Sequence, residues 1–148
     1  MKLLRFFMSM LLVAGMGCKP EPAAPVNPEI SILEVTPTVV GAFEHPITIT
    51  LHYTDAQGDI GELDPDNPSL RVRDIRLAAD DWYHIPPLTP DLMELDISGE
   101  FSVEIPPLFL LGNGDQETTS FRLQLYDRAG NASNEVITDN ILILDTLR

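Results

Sequence analysis

Cysteine occurs once, at Cys18, so the chain has no intrachain disulfide framework and no multi-cysteine zinc site. Positive charge is scarce. Nine Lys and Arg face 23 Asp and Glu, a formal charge of −14, which excludes a protein held on nucleic acid by basic contacts to phosphates. Lysine does not recur after Lys19. No apolar stretch reaches the roughly 20 residues of a membrane-spanning helix; the longest, Phe6 to Ala14, has about 9. Stretches with a 3.6-residue apolar period free of Pro and Gly are missing, which excludes a helical body. Gly-x-Ser-x-Gly elbows and Gly-rich phosphate loops are also absent. The 148 residues suit one domain.

The N-terminus carries Lys2 and Arg5, then the apolar stretch, then Gly15-Met16-Gly17 before Cys18. This order of basic, apolar and small residues is a secretory signal over residues 1–17. With Gly17 directly before Cys18, it resembles the lipobox of bacterial lipoproteins, Gly15 standing where Leu or Val is more usual. The resemblance implies cleavage before Cys18, diacylglycerol on its thiol and a third acyl chain on its freed amine. The other reading is a soluble secreted protein. Each buried CH₂ contributes about 0.8 kcal/mol, so several chains hold a protein on a membrane lastingly. By the same resemblance, Lys19 rather than Asp after Cys18 implies the outer membrane, in either leaflet. Residues 18–28, with four Pro between Lys19 and Pro28, read as an extended tether. Without the signal, seven basic residues face 23 acidic ones, which favours solubility and leaves attachment to lipid and tether.

From Glu29 to Arg148 the dominant pattern is alternation. Ile47, Ile49, Leu51 and Tyr53 point one way and Thr48, Thr50, His52 and Thr54 the other, the signature of a half-buried strand. Phe101-Val103-Ile105 and Phe121-Leu123-Leu125 repeat it. Further strands are expected at Ile30 to Val35, at Leu70 to Leu77 with a bulge near Arg73 and Asp74, within Leu92 to Ile97, and within Glu135 to Leu144. About seven short strands predict an all-β, immunoglobulin-like sandwich.

Two loops carry the candidate chemistry. Asp55, Gln57 and Asp59 place oxygen donors at every other position beside Gly58, and Asp127 and Asn131 flank a second Gly turn. Calcium takes six to eight such oxygens. In a sandwich, the strands before both loops run in the same direction, so Asp127 and Asn131 are expected to approach Asp55 and Asp59. Tight turns select the same residue types without any ion, so both readings stand at this point.

The stretches YTDAQGDIGELDPDNPSLRVRDIR, GEFSVEIPP and LYDRAGNASNEVIT resemble short Gram-negative lipoproteins with a single immunoglobulin-like domain. The likeness covers most of Ile47 to Ile143, and it implies fold far more than activity. Gln57 stands where an acidic residue is common.

Asp80 to Ile85 sets Trp82, the only Trp, beside Tyr83 in a Pro-flanked loop. Such a pair could stack on a sugar ring or anchor a peptide from an envelope partner; alternatively Trp82 folds back to cap the core. Phe109-Leu110-Leu111 offers the same choice between covering the sandwich and meeting a partner. Catalysis finds little support: His45, His52 and His84 are isolated, and carboxylate pairs such as Asp80-Asp81 and Glu94 with Asp96 are expected by chance among 23 acids. The expectation is a non-enzymatic module, a small hydrolase being the remote alternative. Asp145-Thr146-Leu147 resembles a short O-glycosylation sequon of some Gram-negative envelope proteins.

Overall fold

The chain is seen in a computed structural model that describes residues 26–89 and 95–146. The signal segment, Cys18 and most of the tether lie outside the described residues, as do Leu92 to Glu94 of one expected strand.

Among the described residues there is no helix, and the chain runs through ten strand segments: β1 (Glu29–Thr36), β2 (Val39–Gly41), β3 (Ile47–Asp55), β4 (Leu70–Asp74), β5 (Asp81–Tyr83), β6 (Ile97–Ile105), β7 (Gln116–Thr119), β8 (Phe121–Leu125), β9 (Val136–Ile137) and β10 (Ile141–Leu144). They form sheets ordered β1-β3-β6, β5-β4-β8-β9 and β2-β10-β7. The fold is all-β, a sandwich of stacked sheets. Ten segments stand where about seven strands are expected: the stretch from Glu135 to Leu144 is broken into β9 and β10, and β2 and β7 are segments that alternation does not mark. β1 and β2 are one edge segment that leaves β3 and joins β10 in parallel, with a cis Thr36–Pro37 peptide between them. β7 with β8, and β9 with β10, are two halves of one hairpin. Thr138 carries pairing across the break: its N–H donates to the Phe121 carbonyl, and its Oγ1 accepts from the Phe121 N–H.

Alternation decides what is inside. In β3, Ile47, Ile49, Leu51, Tyr53 and Asp55 are buried while the residues between them are half-buried. In β8 it is Phe121, Leu123 and Leu125, and in β4 it is Leu70, Val72 and Asp74. These rows from both layers join with Val103, Ile105, Ile141 and Ile143 in one apolar cluster. Fully burying a Leu or Ile side chain contributes about 1.5–3 kcal/mol, and this burial stabilises a domain that has no disulfide.

Several sequence expectations are corrected. The change of phase after Val72 is a strand end, not a bulge. β4 stops at Asp74, the Leu77 N–H donates to the Asp74 carbonyl across a turn, and Ile75 is exposed. The bulge lies instead in β1, between Ile32 and Glu34, and leaves Leu33 exposed. The Pro-flanked segment around Trp82 is the short edge strand β5, paired to β4 through Arg71–Trp82. The strand expected from Phe101 begins earlier, at Ile97, because the chain from Ile97 to Ile105 pairs along the whole of β3.

Candidate functional site

The inward rows of β3 and β8 each end in a carboxylate. Asp55 continues the parity of Tyr53, and Asp127 continues the parity of Leu125. Both are buried, at 2% and 5% exposure. The two strands deliver them to the same pole, where Ile60 bridges Asp127 and the Arg128 N–H donates to the Asp59 carbonyl at 3.0 Å. The approach of the two loops expected from strand direction is therefore present. β1 starts at this pole as well, since Glu29 pairs with Thr54.

Each buried carboxylate first shapes its own turn. Asp55 accepts from the N–H groups of Gln57 (3.2 Å) and Asp59 (2.8 Å). Asp127 accepts from the Asn131 N–H (2.7 Å) and from its Nδ2 (2.8 Å), so Asn131 braces Asp127. These are the side-chain-to-backbone bonds that turn residues make for reasons of backbone geometry. They do not account for two neighbouring atoms: Gln57 Oε1 and Asp59 Oδ1 are buried and have no hydrogen-bond partner. Burial pushes the Asp59 carboxyl above its ordinary range. The charges of Asp127 and Asp55 and a hydrogen bond with Asp55 add to the rise, and Arg128 opposes it.

Among the described residues, no group of three or more Asp, Glu, His or Cys side chains is placed so that it could hold a metal ion. A cation here needs the Gln57 amide oxygen and backbone carbonyls as well. The donor chemistry suits a hard ion: all of these ligands are oxygen, and a carboxylate oxygen bonded to one N–H keeps a second lone pair. The orphaned Gln57 and Asp59 oxygens are what such an ion would satisfy.

Trp82 and Tyr83, as adjacent residues of β5, face opposite sides of the strand. Tyr83 packs against the core, and burial, then Asp81, pushes its phenol up. Trp82 is 48% exposed and leans on Tyr126, ring centroids 5.6 Å apart, so it does not cap the core. Both residues border a groove of about 290 Å³ with Leu77, Pro107 and Phe109. Leu108 is buried, while Phe109 and Leu111 are exposed and Phe109 stacks on the exposed Phe43 ring at 6.1 Å. His52 Nε2 lies 3.1 Å from Ser98 Oγ on the exposed face of β3 and β6, and His84 Nε2 contacts the Glu62 carbonyl at 2.7 Å. Arg128, which ties its Nη1 to the Gly61 carbonyl, and Tyr126 belong to these sites but carry no sequence signal beyond their position after β8.

No protein-family model and no curated protein matches the chain. Among solved structures, the chain is similar to the SrpA adhesin from Streptococcus sanguinis at 11% identity and a TM-score of 0.45. The likeness covers 83% of this chain and 59% of the adhesin chain, so this chain spans about three-fifths of that one.

Proposed function

We propose that the protein is an outer-membrane lipoprotein, held through Cys18, that displays a non-catalytic binding or structural module whose loop pole is closed by a calcium ion. One observation carries the ion: two buried oxygens, Gln57 Oε1 and Asp59 Oδ1, lack partners beside the buried Asp55 and Asp127. Gln57 and Asp59 would hold the ion together with one of the two buried carboxylates, Asp55 or Asp127, and backbone carbonyls, and Asn131 would orient Asp127. The ion neutralises carboxylates that otherwise repel across the two loops.

Calorimetric melting tests the ion. A ligand selective for the folded state adds about 2.7 kcal/mol at one hundred times its Kd, which raises Tm by several degrees. Calcium is expected to raise Tm above that in excess chelator, and D59N is expected to remove the rise. Equal melting temperatures for the natural chain in both conditions overturn the calcium reading.

The anchor is supported by the lipobox pattern before Cys18. C18S in the full-length chain is expected to move the protein from the membrane pellet to the soluble fraction. Retention of C18S in the pellet after a carbonate wash defeats the anchor.

A further inference from the structure

The molecule is strongly acidic, yet three of its arginines share one outer face. Arg71 and Arg73 lie on β4 and Arg122 on β8, with side chains 26%, 39% and 44% exposed. Arg71 sits directly between Trp82 of β5 and Gln124 of β8; one step along, Arg73 is directly opposite Arg122. Like charges directly opposite on a sheet cost stability, so folding alone gives no reason for the second pair.

Two carboxylates serve these three guanidiniums. Glu135 takes Arg71 Nη2 through Oε2 and Arg122 Nη1 through Oε1, both at 3.1 Å, and Asp80 takes Arg73 Nε at 2.6 Å. Arg71 Nη2 also donates to Gln124 Oε1 at 2.7 Å. Each guanidinium thus commits one nitrogen, while an arginine offers five N–H donors in a planar fork suited to carboxylates. Against this array stands the half-exposed Trp82 ring, fixed by Tyr126, whose hydroxyl donates to Gln124 Oε1 at 3.1 Å. An exposed flat ring beside spare, fixed cationic donors matches a ligand with an apolar ring face and an anionic substituent.

We propose that this face binds an acidic polysaccharide, Trp82 stacking on a sugar ring while Arg71, Arg73 and Arg122 take its carboxylates. Charge complementarity selects the acidic kind: three guanidiniums meet only two carboxylates on this face, whereas the chain as a whole carries a net charge of −14. The inference rests on the binding-module reading and supplies that module with a ligand. It needs the domain folded but not the calcium ion, so melting with chelator and titration with polysaccharide fail independently.

The single Trp is a built-in reporter. Polygalacturonate titrated into the folded protein is expected to change Trp82 emission saturably, with matching heat in isothermal calorimetry. Fully methyl-esterified polygalacturonate, the same sugar without charge, is expected to give neither. R73Q/R122Q, at one partly exposed and one exposed position, is expected to weaken binding about tenfold or more, and W82A to abolish the calorimetric heat. Three results would overturn the proposal: no emission change and no heat with polygalacturonate, an unaltered affinity in R73Q/R122Q, or equal affinity for poly-glutamate, which would show a peptide-like polyanion to be as good a ligand.

Discussion

R76A is expected to lower the unfolding free energy by about 3–5 kcal/mol, because it strands a buried carboxylate. Arg76 grips Asp74 with Nε and Nη2, the latter at 2.7 Å from Oδ2, and the two side chains are only 10% and 5% exposed. Thr119 Oγ1 donates to the same carboxylate. The other arm, Nη1, reaches Glu117 Oε2 and the Phe109 carbonyl, both at 2.9 Å. Glu117 in turn accepts from the N–H groups of Leu111 and Gly112, so one guanidinium fixes the entire Phe109–Gly112 loop. Urea denaturation measures the loss. R122A, whose ion pair is largely exposed, is the comparison and is expected to cost less than about 1 kcal/mol. A loss that small for R76A would show that water enters and solvates Asp74.

The same network gives stability a pH dependence. Burial raises the Asp74 carboxyl, but hydrogen bonds from Arg76 and Thr119 outweigh it and hold the group below its ordinary range. The N–H groups of Leu111 and Gly112, then Arg76, hold Glu117 low as well. A carboxylate depressed in the folded state contributes its full stability above its unfolded pKa, about 3.9 for Asp and 4.3 for Glu. That contribution disappears as pH falls through the lower folded values. Unfolding free energy should therefore drop below about pH 4 in the natural chain, and the part of the drop due to this network should vanish in R76A.

The sandwich is legible in the sequence because alternation is a local property: Ile47 to Tyr53 and Phe121 to Leu125 declare their buried faces residue by residue. The same parity, carried one step further, marks Asp55, Asp74 and Asp127 as inward-facing acids, a signal available in the sequence alone. The path of the chain beyond each acid is not legible. A turn after Asp74 and a bulge at Arg73 produce the same shift of parity, and only the Arg76 contacts decide between them. Trp82 escapes sequence reasoning for a related reason. A three-residue edge strand is too short to show a period, so its pairing with Arg71, and thus the separation of Trp82 from Tyr83, emerges only when β4 is in place. The orphaned Gln57 and Asp59 oxygens depend on how two loops about 70 residues apart meet, which no local pattern encodes.

G61A should be the second large effect, and it tests whether the loop pole is rigid. Gly61 has φ of +88°, a conformation that an L side chain adopts at a cost of about 1–3 kcal/mol. A Cβ there would lie 2.2 Å from the Pro86 carbonyl oxygen and 2.9 Å from Pro87 Cα, so backbone must move. The segment it would push is stitched to the loop: the Glu62 N–H donates to the Ile85 carbonyl at 2.8 Å and the Leu88 N–H to the Ile60 carbonyl at 3.2 Å. Ile60 is fully buried, and the Gly61 carbonyl holds Arg128 Nη1 at 2.9 Å. Overpacking of this kind adds about 1–3 kcal/mol, for a combined loss of about 2–6 kcal/mol. G130A separates the two causes. Gly130 has a similar φ of +85°, but nothing stands within 4 Å of its Cβ position, so only the backbone cost applies. If the pole is rigid, G61A must lose more stability than G130A, and its calcium-dependent rise in Tm must shrink, because displacing Ile60 and Arg128 moves the Asp59 backbone that both of them hold. Equal losses in the two variants would mean that the Pro86–Pro87 segment yields, and that the oxygens of Gln57 and Asp59 are not held in fixed positions.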